Sequence, residues 1–202
     1  MADTFKLIVV TPEKDIAEEP ALIKALFEAG LTILHVRKPD FSSQELISLF
    51  KAIPQEFHPK IVIHNNYELL NNFNLKGAHL PEKNRKGGDI SWIKNIVSTS
   101  FHRLEDIRAE KINFEYVFFS PVFQSISKKG YGPSVEIKVL NEFLHTKGTQ
   151  IPFPIVALGG ITDKTILQAK DMGFNGAACI GYIWEGSNPV ERFIKLQKII
   201  QD

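Results

Sequence analysis

The chain has 202 residues, of which 44% are hydrophobic and 23% are charged, and this balance is typical of a globular domain. The formal net charge of +1 argues against nucleic acid and against an anionic membrane surface as partners. The single cysteine, Cys179, excludes an internal disulfide and a cysteine-based zinc cluster. Because Met1 to Thr4 lead directly into a short apolar run, we expect no signal peptide or membrane span, and we expect a cytoplasmic protein.

Apolar runs of strand length recur along the whole chain. They are nearly continuous rather than alternating, which is typical of strands that are covered on both sides in a parallel sheet. In chain order, the predicted strands are Lys6–Val10, Thr32–Val36, Lys60–His64, Gly77–Leu80, Ile96–Ser100, Tyr116–Phe119, Pro154–Leu158 and Gly176–Ile180.

Segments with helical patterns separate these runs. Ala21–Glu28 places its apolar residues on one face, and Gly30 follows as the predicted C-cap. The segment Ser42-Ser43-Gln44-Glu45 has the chemistry of a capping box and opens a second helix. Thr162-Asp163 begins the helix before the last strand, and Pro189 begins the C-terminal helix.

Eight strands that alternate with helices predict the α/β class, as a single (β/α)8 TIM barrel domain over residues 1–202. A doubly wound open sheet is the alternative. The longest irregular connection runs from Gln124 to Val135, and long loops in compact barrels are often functional.

Small residues end the last two predicted strands. Gly159-Gly160 ends one run and Ile180-Gly181 ends the next. Glycine lets a ligand approach the backbone closely, since it has no Cβ and tolerates positive φ. In (β/α)8 barrels, the loops after strands 7 and 8 frequently bind phosphate, so the sequence predicts a phosphate site there. The alternative interpretation is that these are two buried strands whose ends are marked by glycines without binding a ligand.

Polar side chains follow the other strands, at the end of a barrel where catalysis is expected. Arg37 has the geometry for a bidentate contact with a phosphate group. In the long loop, the hydroxyls of Ser125 and Ser127 and the ammonium of Lys128 are suited to bind an anionic leaving group. We interpret His64, His79 and His102 as structural rather than metal-binding, because no two share a helical face.

The order and spacing of these motifs resemble the thiamine phosphate synthase superfamily over nearly the whole chain. The motifs are His35-Val36-Arg37, Asn65 with its neighbours, Gly77-Ala78-His79-Leu80, Ser100-Phe101-His102, Ser120-Pro121-Val122-Phe123 through Lys128, Ala157-Leu158-Gly159-Gly160-Ile161 and Gly176-Ala177-Ala178-Cys179-Ile180. The resemblance implies a barrel that binds a thiazole phosphate. In the synthase branch, a pyrimidine pyrophosphate loses pyrophosphate, and the thiazole nitrogen attacks the resulting carbocation. The other branch holds the thiazole tautomerases.

The resemblance also assigns site residues. It places Arg37, Ser100 and Lys128 in the catalytic set. The implied substrate-binding residues are His35, Lys38, Asn65, His79, His102, Ser125, Ser127, Gly159, Gly160, Ile180 and Gly181. The implied ligands are small phosphorylated molecules, and a homo-oligomer is compatible with the sequence.

Several positions depart from the synthase pattern. The glutamine and lysine that flank the arginine after strand 2 are His35 and Pro39 here, with Lys38 one residue earlier. The two aspartates that bind Mg²⁺ in the synthase correspond to Asn65 and Asn84. A hard cation prefers carboxylate oxygens, so the sequence predicts at most a weak Mg²⁺ site.

The tautomerase branch matches His35-Val36-Arg37 better, but its catalytic base is a histidine at the position of Pro121. Proline cannot move a proton at carbon, and His102 or His35 would have to replace that base. Three hypotheses therefore remain: a divergent thiamine phosphate synthase, an isomerase acting on thiazole phosphate, and a non-catalytic binder of thiazole or thiamine phosphate. Mg²⁺ is implied only for the first.

Overall fold

The computed structural model describes residues 5–87, 89–124, 132–133, 135–146 and 151–201. Eight parallel strands pair in chain order, and β8 returns to β1, so that the sheet closes into a barrel. The strands are β1 (Lys6–Val10), β2 (Leu34–Val36), β3 (Ile61–Ile63), β4 (Gly77–Leu80), β5 (Ile96–Phe101), β6 (Tyr116–Phe119), β7 (Ile155–Leu158) and β8 (Gly176–Cys179). The predicted (β/α)8 fold is confirmed, and the open-sheet alternative is wrong.

Helices cover the outside of the barrel. They are α1 (Glu19–Glu28), α2 (Ser43–Ala52), α3 (Glu82–Gly87), α4 (Leu104–Ala109), α5 (Ile137–Thr146), α6 (Ile166–Asp171), α7 (Gly181–Trp184) and α8 (Pro189–Gln201). Two 3-10 helices, Gln55–Lys60 and Tyr67–Asn71, flank β3. Among the described helices, none combines the length and apolar character that a membrane crossing requires.

The predicted helix boundaries follow from local chemistry that the structure contains. The Ser42 hydroxyl accepts from the Glu45 backbone N–H while the Glu45 carboxylate accepts from the Ser42 backbone N–H, which completes the capping box. Gly30 ends α1 with a φ of +100°. The helix before β8 begins at Ile166, later than predicted, because the Thr165 side chain holds the Thr162 backbone in a turn.

The hydrophobic residues form two cores that the closed sheet separates. The larger core lies between the strands and the helices, and Leu26, Phe50 and Phe193 are among its fully buried members. A smaller core fills the barrel itself, where Val62, Tyr116 and Phe118 point inward. This inner core forms the floor of the open end of the barrel.

Candidate active site

A cleft of about 940 Å³ occupies the carboxyl end of the barrel. All eight strands, or the segments directly after them, contribute to its wall, as expected where βα loops build a site. Of the site residues predicted from sequence, those that line it are Arg37, Asn65, His79, Ser100, His102, Gly159, Gly160, Ile180 and Gly181. His64, which was not predicted as a site residue, also lines it. The barrel therefore brings together residues that are far apart in the chain.

Backbone builds the part of the cleft at the ends of β7 and β8. Gly159 and Gly160 have φ values of +97° and +65°, a region that disfavours any residue with a Cβ. A Cβ on Gly160 would lie 2.5 Å from the Gln124 carbonyl oxygen, and one on Gly159 would lie 3.0 Å from Pro121. The glycines are thus required by the tight packing of the chain after β6 as well as by access to the cleft.

The short helix α7 begins at the same part of the cleft. Its first backbone N–H groups, those of Gly181 and Tyr182, have no intrahelical carbonyl to bind, as in the first turn of any helix. The Glu185 carboxylate also lines the cleft, and its Oε1 would lie 3.1 Å from a Cβ on Gly181. This end of the cleft therefore combines backbone donors with one exposed acidic side chain.

Arg37 provides the cationic side of the cleft. It follows β2 and its guanidinium forms a 2.5 Å ion pair with Glu13, which follows β1. Both side chains are partly exposed, at 37% and 43%, so solvent screens the pair and it contributes little stability. An anion entering the cleft would compete with Glu13 for the same guanidinium.

Lys38 does not line the described cleft, and its prediction as a substrate-binding residue needs correction. Its side chain is fully buried, and Nζ lies 2.7 Å from both the Glu19 carboxylate and the Lys14 carbonyl oxygen. Burial raises the pKa of Glu19, while the Lys38 ammonium opposes that shift. Lys38 connects the segment after β2 to the start of α1, which is a structural role.

The two asparagines predicted at the metal position lie in different surroundings. Asn65 lines the cleft, and its Nδ2 donates to the Lys38 carbonyl oxygen at 3.1 Å and to Asn66 Oδ1 at 2.6 Å. Asn84 lies on α3, near the Tyr67 hydroxyl, and is absent from the cleft wall. The structure therefore does not bring the two amides together in the cleft.

His35 lies one layer below the cleft rather than in its wall. Its side chain is fully buried among residues of the inner core. Its Nδ1 lies 2.9 Å from His64 Nε2, and its Nε2 lies 2.6 Å from the Tyr116 hydroxyl. Direct contact with substrate, as the sequence predicted, would require His35 to move, whereas His64 and His79 already line the cleft.

His79 links two serines on the neighbouring strand β5. Its Nδ1 lies 2.8 Å from Ser98 Oγ, which is fully buried, and its Nε2 lies 2.9 Å from Ser100 Oγ, which lines the cleft. Burial lowers the pKa of His79 to about 3 and lowers those of His35 and His64 well below their usual range. The three imidazoles are therefore neutral at physiological pH.

The cluster of His35, His64 and His79 was not anticipated from sequence. One nitrogen from each lies within 4.8 Å of the others. The sequence interpretation considered only helical spacing, whereas these residues belong to three neighbouring parallel strands or their ends. The signal that could have found the cluster is a histidine at the end of each of three consecutive predicted strands.

His102 is held by the segment after β6. Its Nδ1 lies 2.8 Å from the Ser120 carbonyl oxygen. A carbonyl can only accept, so Nδ1 donates, and the lone pair of a singly protonated imidazole is then on Nε2. Ser125, Ser127 and Lys128, predicted to bind pyrophosphate, lie outside the described residues.

Residues 7–183 match the family model described as thiamine monophosphate synthase. The chain belongs to this family. A thiamine-phosphate synthase of Clostridium tetani is 27% identical over 187 residues, which cover 88% of this chain and 87% of that protein. The crystal structure of thiamine phosphate pyrophosphorylase from Bacteroides thetaiotaomicron is 34% identical, covers 98% of both chains and has a TM-score of 0.82. A thiamine phosphate pyrophosphorylase from Pyrococcus furiosus, at 18% identity and a TM-score of 0.79, shares the fold.

Membership of the thiamine monophosphate synthase family confirms the resemblance found in the sequence, and it raises the question of Mg²⁺. Neither Asn65 nor Asn84 supplies a negative charge, and Asn84 is absent from the cleft wall. Four carboxylates line the cleft, those of Glu13, Asp40, Glu82 and Glu185. Glu13 pairs with Arg37 and Glu82 pairs with Lys86, each at 2.5 Å. The amides at positions 65 and 84 therefore do not fit a Mg²⁺ site built at those two positions, because such a site requires oxygen ligands with compensating charge.

Proposed function

We propose that the chain is a thiamine-phosphate synthase of transferase type, which joins hydroxymethylpyrimidine pyrophosphate to thiazole phosphate and releases pyrophosphate in thiamine biosynthesis. One observation carries the proposal: a single cleft has a backbone-built end at Gly159–Gly160 and an arginine on another part of its rim. Two phosphorylated substrates need two such anion sites. Family membership supports the same activity.

The thiazole phosphate would bind where β7 and β8 end. The positive φ of Gly159 and Gly160 leaves the backbone open to a ligand at that point. The N–H groups of Gly181 and Tyr182 supply donors without an intrahelical partner. Phosphate oxygens suit such donors because several backbone N–H groups share one anionic group.

The pyrophosphate would bind at Arg37, three strands around the barrel from β7. A guanidinium makes two parallel hydrogen bonds to a phosphate group, so Arg37 both orients the leaving group and stabilises its charge. In exchange it releases Glu13. Ser125, Ser127 and Lys128 are proposed, from the sequence alone, to complete this site.

The floor between the two anion sites suits a pyrimidine ring that develops positive charge. Phe118 presents an aromatic ring there, and His64 and His79 are neutral because burial lowers the pKa of each. An aromatic face attracts a cation, and neutral imidazoles do not repel it. Ser100, which lines the cleft beside His79, would contact the reacting ring.

Incubation with both substrates tests this function. We expect thiamine phosphate and pyrophosphate to form in equal amounts, and we expect Arg37→Ala to reduce the rate while leaving thiazole phosphate binding intact. Absence of both products, with each substrate bound normally, would instead indicate a non-catalytic binder.

A second candidate function, isomerisation of a thiazole phosphate, is supported by the tautomer of His102. The Ser120 carbonyl holds the proton on Nδ1, so the free Nε2 lone pair can accept a proton from carbon. Incubation in D2O without the pyrimidine substrate would then place deuterium in the thiazole, and His102→Asn would abolish that exchange. The synthase does not require exchange under these conditions, so the assay separates the two functions.

A further inference from the structure

Three imidazoles meet beneath the cleft without any carboxylate in their cluster. His35 belongs to β2, His64 directly follows β3 and His79 belongs to β4, and these strands are neighbours in the barrel. One nitrogen from each of the three lies within 4.8 Å of the other two. Parallel pairing produces this proximity, since it places the equivalent ends of adjacent strands side by side.

One pair of donor atoms is spaced nearly as a metal site requires. His35 Nδ1 and His64 Nε2 face each other at 2.9 Å. In a tetrahedral zinc site, two nitrogens that each lie about 2.0–2.1 Å from the ion are about 3.3 Å apart. A movement of a few tenths of an ångström therefore separates the hydrogen-bonded pair from a pair of metal ligands.

The second ring nitrogen of two of these histidines has a buried partner. His35 Nε2 contacts the Tyr116 hydroxyl at 2.6 Å, and His79 Nδ1 contacts Ser98 Oγ at 2.8 Å. Metal-binding histidines usually use their other nitrogen in this way, because the contact fixes the ring's tautomer and direction.

Three contacts must change when an ion binds. The His35–His64 hydrogen bond breaks, and its proton moves to the other nitrogen of the donor ring, so that both facing nitrogens have lone pairs. His79 Nε2 exchanges Ser100 Oγ for the ion, and the stacking of His64 on His79 is lost. The His64 and His79 rings stack with centroids 4.2 Å apart and planes 21° apart. Rings that are nearly parallel cannot both direct an in-plane lone pair at one ion. His64 is only half-buried, whereas His35 and His79 are buried with fixed partners, so His64 is the ring that would turn.

We propose that His35, His64 and His79 form a binding site for a borderline transition-metal ion of the zinc class, with its fourth position open to the cleft. Imidazole nitrogens favour such ions and disfavour Mg²⁺, which prefers oxygen. Three protein ligands with one open position is the pattern of catalytic rather than structural zinc. The open position would accept water or an oxygen or nitrogen atom of a bound ligand. The site does not depend on the proposed synthase activity.

Titration of the metal-free full chain with Zn²⁺ in a calorimeter tests this site, and Co²⁺ serves as a spectroscopic probe. We expect one Zn²⁺ per chain, and we expect Co²⁺ to give the strong visible bands of a four-coordinate ion. Mg²⁺ should not displace either ion. Absence of Zn²⁺ binding by the folded wild-type protein would overturn the proposal.

Variants assign the ligands. His64→Asn and His35→Gln should each weaken Zn²⁺ binding by at least about 100-fold, and Tyr116→Phe, which removes only an outer contact, by about 10-fold to 100-fold. His102→Gln in the same cleft and His145→Gln on α5 are the matched controls and should bind like the wild type. Circular dichroism checks that each variant is folded; should His35→Gln fail to fold, the half-buried His64→Asn still decides. Equal Zn²⁺ affinity in wild type and His64→Asn would contradict the assignment.

Discussion

The two sides of the cleft are built from different parts of the chain. On the glycine side, formed by Gly159, Gly160, Ile180 and Gly181, backbone conformation determines the geometry. On the polar side, formed by Arg37, His64, Asn65 and His79, side chains determine it, and each already has a protein partner. Of the departures from the synthase pattern, Pro39 and Asn65 line the polar side and His35 lies beneath it against His64, whereas Asn84 is absent from the cleft wall.

This difference indicates which part of the site can change while the fold stays the same. The glycine side cannot accept a side chain without displacing the chain after β6, because Gly160 packs against the Gln124 carbonyl. The polar side accepts new residues wherever a neighbour satisfies them, as Ser98 and Ser100 satisfy His79. This pattern is expected if related proteins bind the same phosphate group on the glycine side and different second substrates on the polar side.

Lys38 gives the largest expected effect and tests whether the polar side depends on buried supports. Lys38→Met leaves the Glu19 carboxylate buried without its cation, which should cost about 3–5 kcal/mol of unfolding free energy. Chemical denaturation measures this, and combining Lys38→Met with Glu19→Met should recover most of the loss. Lys24→Met, which removes an exposed pair with Glu28, should change stability by about 0.5 kcal/mol or less.

The opposite result would restore the prediction made from sequence. Unchanged stability of Lys38→Met together with weaker pyrophosphate binding would mean that Lys38 contacts the substrate in solution.

A side chain on the glycine side should damage both folding and binding. Gly160→Ala introduces a Cβ at a φ of +65° and places it 2.7 Å from the Phe123 Cβ. Backbone strain and overpacking together should destabilise the protein by about 2–4 kcal/mol, measured by thermal or chemical unfolding. Inorganic phosphate should no longer protect this variant against unfolding.

Gly87→Ala is the matched control, since nothing lies within 4 Å of the position of its Cβ at the end of α3. It should leave phosphate protection unchanged and should stabilise the helix by about 0.5–1 kcal/mol. If phosphate protected Gly160→Ala as well as wild type, the phosphate site would lie elsewhere.

Much of this architecture was predictable because the strands are apolar and both faces are covered. The bounds of β1, β4 and β6 agree with the predicted ones, and the other strands differ by one or two residues at their ends. Glycine pairs at strand ends indicated the glycine side directly, because the conformation depends on the residue itself.

The polar side was harder to predict because its residues take their roles from distant partners. Lys38 lies next to Arg37 in sequence, yet a buried ion pair with Glu19 holds its side chain in the interior. His35 is next to the cleft in sequence, yet Tyr116, 81 residues away, holds it in the inner core. Pairing between strands determines these contacts, and the spacing of residues along one segment does not reveal them.

Arg37→Ala tests whether the two sides of the cleft bind different ligands. Arg37→Ala removes a charge-assisted contact, so pyrophosphate affinity should fall by about 10-fold to 100-fold in a calorimetric titration, whereas phosphate protection through the glycine side should persist. Glu13→Gln removes the competing carboxylate and should raise pyrophosphate affinity several-fold. Arg103→Ala, at an exposed position directly before α4 and outside the cleft wall, controls for net charge. Equal losses for Arg37→Ala and Arg103→Ala would show that only overall charge matters.

The smallest expected effect is that of Asn65→Asp on Mg²⁺ binding, and it tests whether the polar side of the cleft lacks only negative charge. Asn65→Asp replaces a donor to the Lys38 carbonyl and to Asn66 Oδ1 with an acceptor, so without a cation the new carboxylate faces two oxygens. A divalent cation relieves that repulsion, and the carboxylate supplies the charge that the amide lacks. We therefore expect Asn65→Asp to raise Mg²⁺ affinity several-fold in the presence of pyrophosphate, with a slight loss of stability when Mg²⁺ is absent. Asn84→Asp is the matched control: Asn84 is absent from the cleft wall, so this variant should leave Mg²⁺ binding unchanged. A gain in Mg²⁺ affinity from Asn84→Asp as large as that from Asn65→Asp would show that α3 turns into the cleft when pyrophosphate binds.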